Sequence, residues 1–284
     1  MYKAIQKCLG LIAICFALVV NAQSFEDTKR AAEQGDAKAQ YTLGRMYDHG
    51  LGIAQDYSEA VKWYRKAAEQ GEAYAQTNLG LMYEQGRGVT QNYAEAVKLY
   101  SNAAELGDEL AQNNLGVAYE KGLGVGQDYS EAVKWYRKAA ERGNALAENN
   151  LGGMYGKGFG VNQDNAQAVF WYRKAAEQGN ATAQFNLGYM YNVGSGVARD
   201  YDQAAFWYGK AADQGNVKAQ ENLAAMYAPD QSATDDGPDT QRTGNHRKPG
   251  DRPNQRPSRP QGTPKPKPQV TITPAPKPAP ISPK

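Results

Sequence analysis

Cysteine is confined to Cys8 and Cys15, and proline to Pro229 and the residues after it. The long stretch between them has neither. Without cysteine it holds no disulfide framework and no thiolate metal site. The two histidines, His49 and His246, form no cluster, so no metal and no cofactor is expected. Without proline, one helix can follow another uninterrupted. A Ser-x-x-Lys motif and a Ser/His/Asp set are missing as well. The many carboxylates fall at helix starts and on helix surfaces, where solvation is their ordinary role. The residues therefore point to a binding protein and not to an enzyme.

What the stretch does have is a period. Gly35, Gly71, Gly107, Gly143, Gly179 and Gly215 recur every 36 residues, and so do Leu43 to Leu223 and Tyr47 to Tyr227. A constant step of this size is the signature of a solenoid, in which each unit buries its apolar face only against its neighbours. Each unit reads as two helices. Helix A of the first unit runs from about Ala37 to Tyr47, and helix B from about Tyr57 to Glu69. Helix B opens with Asp56-Tyr57-Ser58-Glu59, a capping box expected to pair the first side chain with the fourth residue's amide and the fourth side chain with the first amide. Glycines such as Gly71 close helix B. Asp36, Asp108, Asn144, Asn180 and Asn216 can cap the next helix A, with Glu72 the weak exception. The paired glycines between the helices (Gly50/Gly52 and their counterparts) have no Lys-Ser/Thr after them. They read as a turn and not as a phosphate loop.

Comparison among the units separates packing from free positions. At ~100° per residue, Ala39, Gln40, Leu43, Gly44, Met46 and Tyr47 share one face of helix A. Ala60, Val61, Trp63, Tyr64, Ala67 and Ala68 share one face of helix B. Trp63, Trp135, Trp171 and Trp207 recur on that face and are expected to be core, not a sugar platform. In helix A, positions 38, 41, 45 and 48 vary from unit to unit and are expected opposite the packing face, with the Asn-rich position 42 beside them.

The two ends differ from the middle. Lys3 and Lys7 precede an uncharged run from Cys8 to Val20, and Val20-Asn21-Ala22 puts small residues where a signal peptidase cuts. Residues 1–22 are expected to be a signal peptide, leaving a periplasmic or secreted chain with no transmembrane segment. Residues 23–228 form the solenoid: a truncated first helix over Ser24 to Gln34, five A–B units and a final A helix, twelve helices in all. Residues 229–284, rich in Pro, Lys and Arg, have too few apolar residues to fold and are expected to be disordered. This basic tail serves as a spacer or as an arm for an anionic envelope polymer. Without interleaved aromatics, no nucleic acid is expected.

The pattern Ala-x-Ala-Gln-x-x-Leu-Gly-x-Met-Tyr, Gly-x-Gly-Val, then Asp-Tyr-x-Glu-Ala-Val-x-Trp-Tyr-x-Lys-Ala-Ala-Glu-x-Gly resembles the Sel1-like repeat family, relatives of tetratricopeptide repeats. The resemblance implies an all-α fold, a right-handed α/α superhelical solenoid of the exported bacterial type. It also implies that the A helices line a concave surface that binds a protein or peptide. On that surface the expected partner-binding residues are Tyr74, Asn78, Asn114, Asn150, Phe185, Asn186, Tyr189 and Asn222. The asparagines either hold the backbone of an extended peptide or tie adjacent repeats together. The alternative function is a cell-wall enzyme, β-lactamase-like or peptidoglycan-processing, or a peptidoglycan-binding protein.

Overall fold

Local hydrogen bonding sets where each helix starts and stops. The computed structural model describes residues 25–228, and the expected signal peptide and tail lie outside the described residues. Among the described residues there are twelve helices and no strand. Helix α1 covers residues 25–33, as the truncated opening helix requires. Five A–B units follow: α2 (Ala37–His49) with α3 (Tyr57–Glu69), α4 (Ala73–Gln85) with α5 (Tyr93–Glu105), and α6 (Glu109–Lys121) with α7 (Tyr129–Glu141). Then come α8 (Ala145–Lys157) with α9 (Asn165–Glu177) and α10 (Ala181–Val193) with α11 (Tyr201–Asp213), before a lone α12 (Val217–Tyr227). The A helices run two residues beyond their expected end, because the C-cap is Gly50 in the left-handed conformation, whose amide donates to Met46.

The N-caps follow the expectation in one direction only. Asp56 accepts from the amides of Ser58 and Glu59 at 2.9 and 3.0 Å. Glu59 does not return the bond, because the Asp56 amide already donates to the Tyr47 carbonyl at 2.9 Å. Every later unit repeats this bond, from Asn92 to Tyr83 through Asp200 to Tyr191. The reciprocal half of the capping box is thus replaced by a strap from the start of helix B to helix A. Glu59 is left to pair with Lys62 instead. At the A helices Asp36, Asp108, Asn144, Asn180 and Asn216 cap as expected, and Glu72 makes no cap bond.

Apolar packing is distributed along the stack, as a solenoid demands. Ala60, Tyr64 and Ala67 of α3 pack with Leu79 and Met82 of α4, and each later boundary repeats the theme. Trp63 and Trp207 are buried, while Trp135 and Trp171 are half-buried against their neighbours' cores. Lysines one turn on cover these rings, with Lys138 Nζ 3.8 Å from the Trp135 centroid. Two glycine positions make the close packing feasible. A β-carbon on Gly80 would stand 2.6 Å from the Tyr100 ring, so helix A meets helix B backbone to ring. A β-carbon on Gly124 would stand 2.3 Å from the Tyr93 carbonyl, which places the A–B loop of one unit directly on helix B of the unit before. In α12 only Ala219 is buried, and Leu223, Met226 and Tyr227 are half-buried.

Glutamines at one helix A position, buried in all but the last helix, add a polar seam. Gln40, Gln76, Gln112, Gln184 and Gln220 donate to the carbonyls of Ala32, Ala68, Ala104, Ala176 and Ala212 at 3.0–3.2 Å. Glu148 stands at this position in the fourth unit with 0% exposure.

A hollow between the fourth and fifth units

Helix B of every complete unit carries a tyrosine beside a glycine of its helix A. In the first three units its hydroxyl donates to a carboxylate near the end of helix A. Tyr64 donates to Asp48 at 3.3 Å, Tyr100 to Glu84 at 2.6 Å and Tyr136 to Glu120 at 2.5 Å. Burial raises the pKa of all three hydroxyls well above the ordinary phenol value. The fourth and fifth units break the rule, with Gly156 and Asn192 in the carboxylate's place, and the Tyr208 hydroxyl of the fifth unit is buried with no hydrogen-bond partner among the described residues. Tyr172 therefore has no polar partner among the described residues and is half-buried, whereas the other four tyrosines are fully buried. Burial pushes its pKa up to about 12, so it is a neutral hydrogen-bond donor.

Three other reductions meet at the same point. Gly153 replaces Leu81 of the second unit, Asn165 replaces Tyr93, and Ser195 replaces Leu123. At the earlier boundaries the first residue of helix B is an aromatic covered from the next loop. Arg87 lies over Tyr57 at 5.3 Å, and Phe159 stacks on Tyr129 at 4.8 Å. Tyr93 and Leu123 flank the second boundary, where the space left is about 10 Å³. The same place between the fourth and fifth units, flanked by Asn165 and Ser195, opens to about 470 Å³. Its floor is Gly153 and Gly156, where β-carbons would stand 3.7 and 3.9 Å from the Tyr172 hydroxyl. Phe185, Asn186 and Tyr189 form the wall from α10. Lys157 is the only charged side chain among its lining residues. The chemistry is that of a binding pocket: two rings, several neutral amide and hydroxyl groups, one cation and an unpaired phenol donor.

Of the expected site residues, Phe185, Asn186 and Tyr189 come together here, and Tyr189 is 49% exposed. Tyr74 is 60% exposed in the second unit, its ring 6.0 Å from Tyr41. Asn78, Asn114, Asn150 and Asn222 are half-buried and outside the hollow. Much of the asparagine ladder is spent on itself. Asn113 donates to Asn114 at 3.2 Å, Asn150 to Asn113 at 3.0 Å and Asn186 to Asn149 at 3.0 Å. The last two bonds tie the third, fourth and fifth A helices together, so the tying role holds for Asn150 and Asn186, whereas the bond to Asn114 stays within its own helix. The variable positions also divide. Asp48 and Asn113 are buried between helices, while Tyr74, Leu146 and Tyr189 are open to solvent. Positions 41 and 48 therefore belong to the packing, not to the arc opposite it. Sequence reasoning missed Gly153, Gly156, Asn165, Tyr172 and Ser195. The signal shared by Gly153, Gly156, Asn165 and Ser195 is a loss of size relative to earlier units, whereas Tyr172 is unchanged from its counterparts and stands out only through the lost acid.

Among the described residues no three His, Cys, Asp or Glu side chains are grouped to hold a metal ion, and no helix is long and apolar enough to cross a membrane. His49 is exposed, with Nε2 3.9 Å from Asp48 Oδ2.

The family model described as Sel1 repeat matches residues 37–72, 73–108, 110–144, 145–180 and 181–216. Among solved structures, a protective antigen present in uropathogenic Escherichia coli strains and displaying an SLR fold is similar at 46% identity and a TM-score of 0.67. The match covers 72% of this chain and 44% of that one, so the chain spans less than half the length of that relative. A Sel1 repeat protein from Oxalobacter formigenes is similar at 38% identity and a TM-score of 0.66, over 73% of this chain and 88% of that one. No curated protein sequence matches the chain.

Proposed function

The chain belongs to the Sel1 repeat family, with five copies of the repeat between residues 37 and 216, and on that premise we propose that it is an exported, non-catalytic scaffold that binds an extended segment of a protein partner at the hollow between its fourth and fifth units. One observation carries this reading. The boundary that is filled to about 10 Å³ two units earlier is open to about 470 Å³ beside the exposed ring of Tyr189. A fold that packs the same place tightly elsewhere has no packing reason to leave it empty, and aromatic rings beside a concave pocket are favoured anchors for a partner. The asparagine chain supports a rigid platform more than a set of free ligands, since its amides hold one another. Export rests on the order of charge, apolar run and small residues in residues 1–22.

The test restores the second unit's side chains, as Gly153→Leu with Gly156→Glu, both inside helix α8. A displayed random-peptide library is then selected on the wild type and on the filled variant. Enrichment on the wild type alone, with the variant's melting temperature unchanged or raised, supports the reading. No enrichment, or equal enrichment on both, overturns it. N-terminal sequencing of protein from an envelope fraction checks export: a start at Gln23 is expected, and a retained Met1 refutes it.

A further inference from the structure

The fourth unit has lost a carboxylate that three sister units keep, and the loss is confined to one side of a pair. Tyr172 is still present, on the same helix face as Tyr64, Tyr100 and Tyr136. Gly152 still gives its ring room, since a β-carbon there would stand 2.8 Å from the ring. Only the acceptor is gone. Had the fourth unit followed the fifth, where Asn192 stands in the acid's place, Tyr172 would be fully buried without a hydrogen-bond partner, as Tyr208 is. Instead the hydroxyl looks into the hollow over Gly153 and Gly156.

The molecule itself thus displays what fits this place. In the second and third units the group that meets the phenol is a glutamate carboxylate, at 2.6 and 2.5 Å. No acid lines the hollow, and Lys157 stands at its edge. A carboxylate entering it would meet a short, charge-assisted hydrogen bond and no like charge from the lining. Phe185 and Tyr189 flank the same space, so the acid's neighbour in the ligand meets aromatic surface. We infer that the hollow recognises a glutamate side chain of the bound segment, presented beside an apolar residue, with Tyr172 donating to its carboxylate in place of the absent helix A acid. This deepens the peptide-scaffold reading and rests on it. A side-chain source is favoured because both internal templates are side-chain carboxylates delivered from an ordered backbone.

Three probe peptides test it by NMR titration: acetyl-Ala-Glu-Phe-Ala-amide, its Gln counterpart with the same blocked ends, and the Gln peptide with a free C-terminal carboxylate. The Glu peptide is expected to bind the wild type about tenfold more tightly than the blocked Gln peptide, the scale of one hydrogen bond to a charged group. Tyr172→Phe should shrink that ratio to about twofold or less. Gly156→Glu should weaken the Glu peptide about tenfold, because its own carboxylate takes the phenol. Equal binding of the Glu and blocked Gln peptides, or a ratio untouched by Tyr172→Phe, overturns the carboxylate inference and leaves the scaffold reading standing. Preference for the free-terminus peptide alone overturns the side-chain source. Failure of all three to bind overturns both readings at this hollow. Tyr172→Phe only removes a hydroxyl without a partner in the fold, so it keeps the test decisive if Gly156→Glu does not fold.

Discussion

The Tyr100 hydroxyl donates to the Glu84 carboxylate across 2.6 Å and so pins helix α5 to the end of helix α4. Its counterpart in the fourth unit, Tyr172, faces Gly156 and makes no such bond. Removing the two hydroxyls should therefore have unequal effects. Tyr100→Phe is expected to destabilise by about 1.5–3 kcal/mol, the range for a hydrogen bond to a charged group. Tyr172→Phe should stay within about 0.5 kcal/mol of the wild type. Urea denaturation of the two variants side by side measures the difference, and equal losses would mean that the Tyr172 hydroxyl is held after all.

The close approach of successive units can be separated from backbone conformation. Gly143 and Gly124 both have positive φ, 91° and 71°. A β-carbon meets nothing within 4 Å at Gly143 but stands 2.3 Å from the Tyr93 carbonyl at Gly124. Gly143→Ala should cost about 1 kcal/mol for the left-handed backbone alone. Gly124→Ala should cost roughly 3 kcal/mol or more, since backbone must move. Thermal melts of both variants decide it, and similar losses would show that the units adjust freely.

Glu148 offers a pH-dependent prediction. Burial raises its pKa above the usual carboxylate value, against the lowering influence of Lys174, whose Nζ is 3.3 Å away, and of Gln178. A carboxyl whose folded pKa lies above its unfolded value binds more protons when folded. Its contribution is most favourable below the unfolded pKa and is lost as pH rises through the folded one. At neutral pH the group is thus a liability. Glu148→Gln should raise stability there by about 1 kcal/mol, because a glutamine can donate to the Ala140 carbonyl as Gln40 does to Ala32 and still accept from Gln178. The gain should shrink as pH falls toward the ordinary carboxylate pKa. Melting temperatures of both proteins across that range test it, and a gain that grows on acidification would reverse the assigned sign.

Helix α4 is the one A helix of the five complete units whose cap residue makes no side-chain bond, because Glu72 has one methylene too many. Asp36 and Asp108 cap their helices at 2.7 and 2.6 Å from equivalent positions. Glu72→Asp is expected to stabilise by about 0.5–1 kcal/mol. A melting temperature that does not rise would show the start of α4 to be satisfied by other means.

The amino-acid sequence by itself determined the repeat, the helices and their caps. These depend on groups a few residues apart, such as Asp56 with Ser58 and Glu59, or Gly50 with Met46. Because the pattern recurs, it also identified most of the packing positions, though not 41 and 48, and it singled out Phe185, Asn186 and Tyr189, which line the hollow. The tertiary structure decided what those residues enclose. Gly156 and Tyr172 lie 16 residues apart, and Asn165 and Ser195 lie 30 apart. Each of these positions looks like an ordinary variable one until the stacking of α8, α9 and α10 brings them around a single space. It also decided that Asn186 is bonded to Asn149 and that the Asp56 amide is spent on Tyr47. The physical reason is the same in each case. A helix start is written in adjacent residues, whereas a cavity is made by atoms that are missing, and only the packed chain shows where several small residues leave room together.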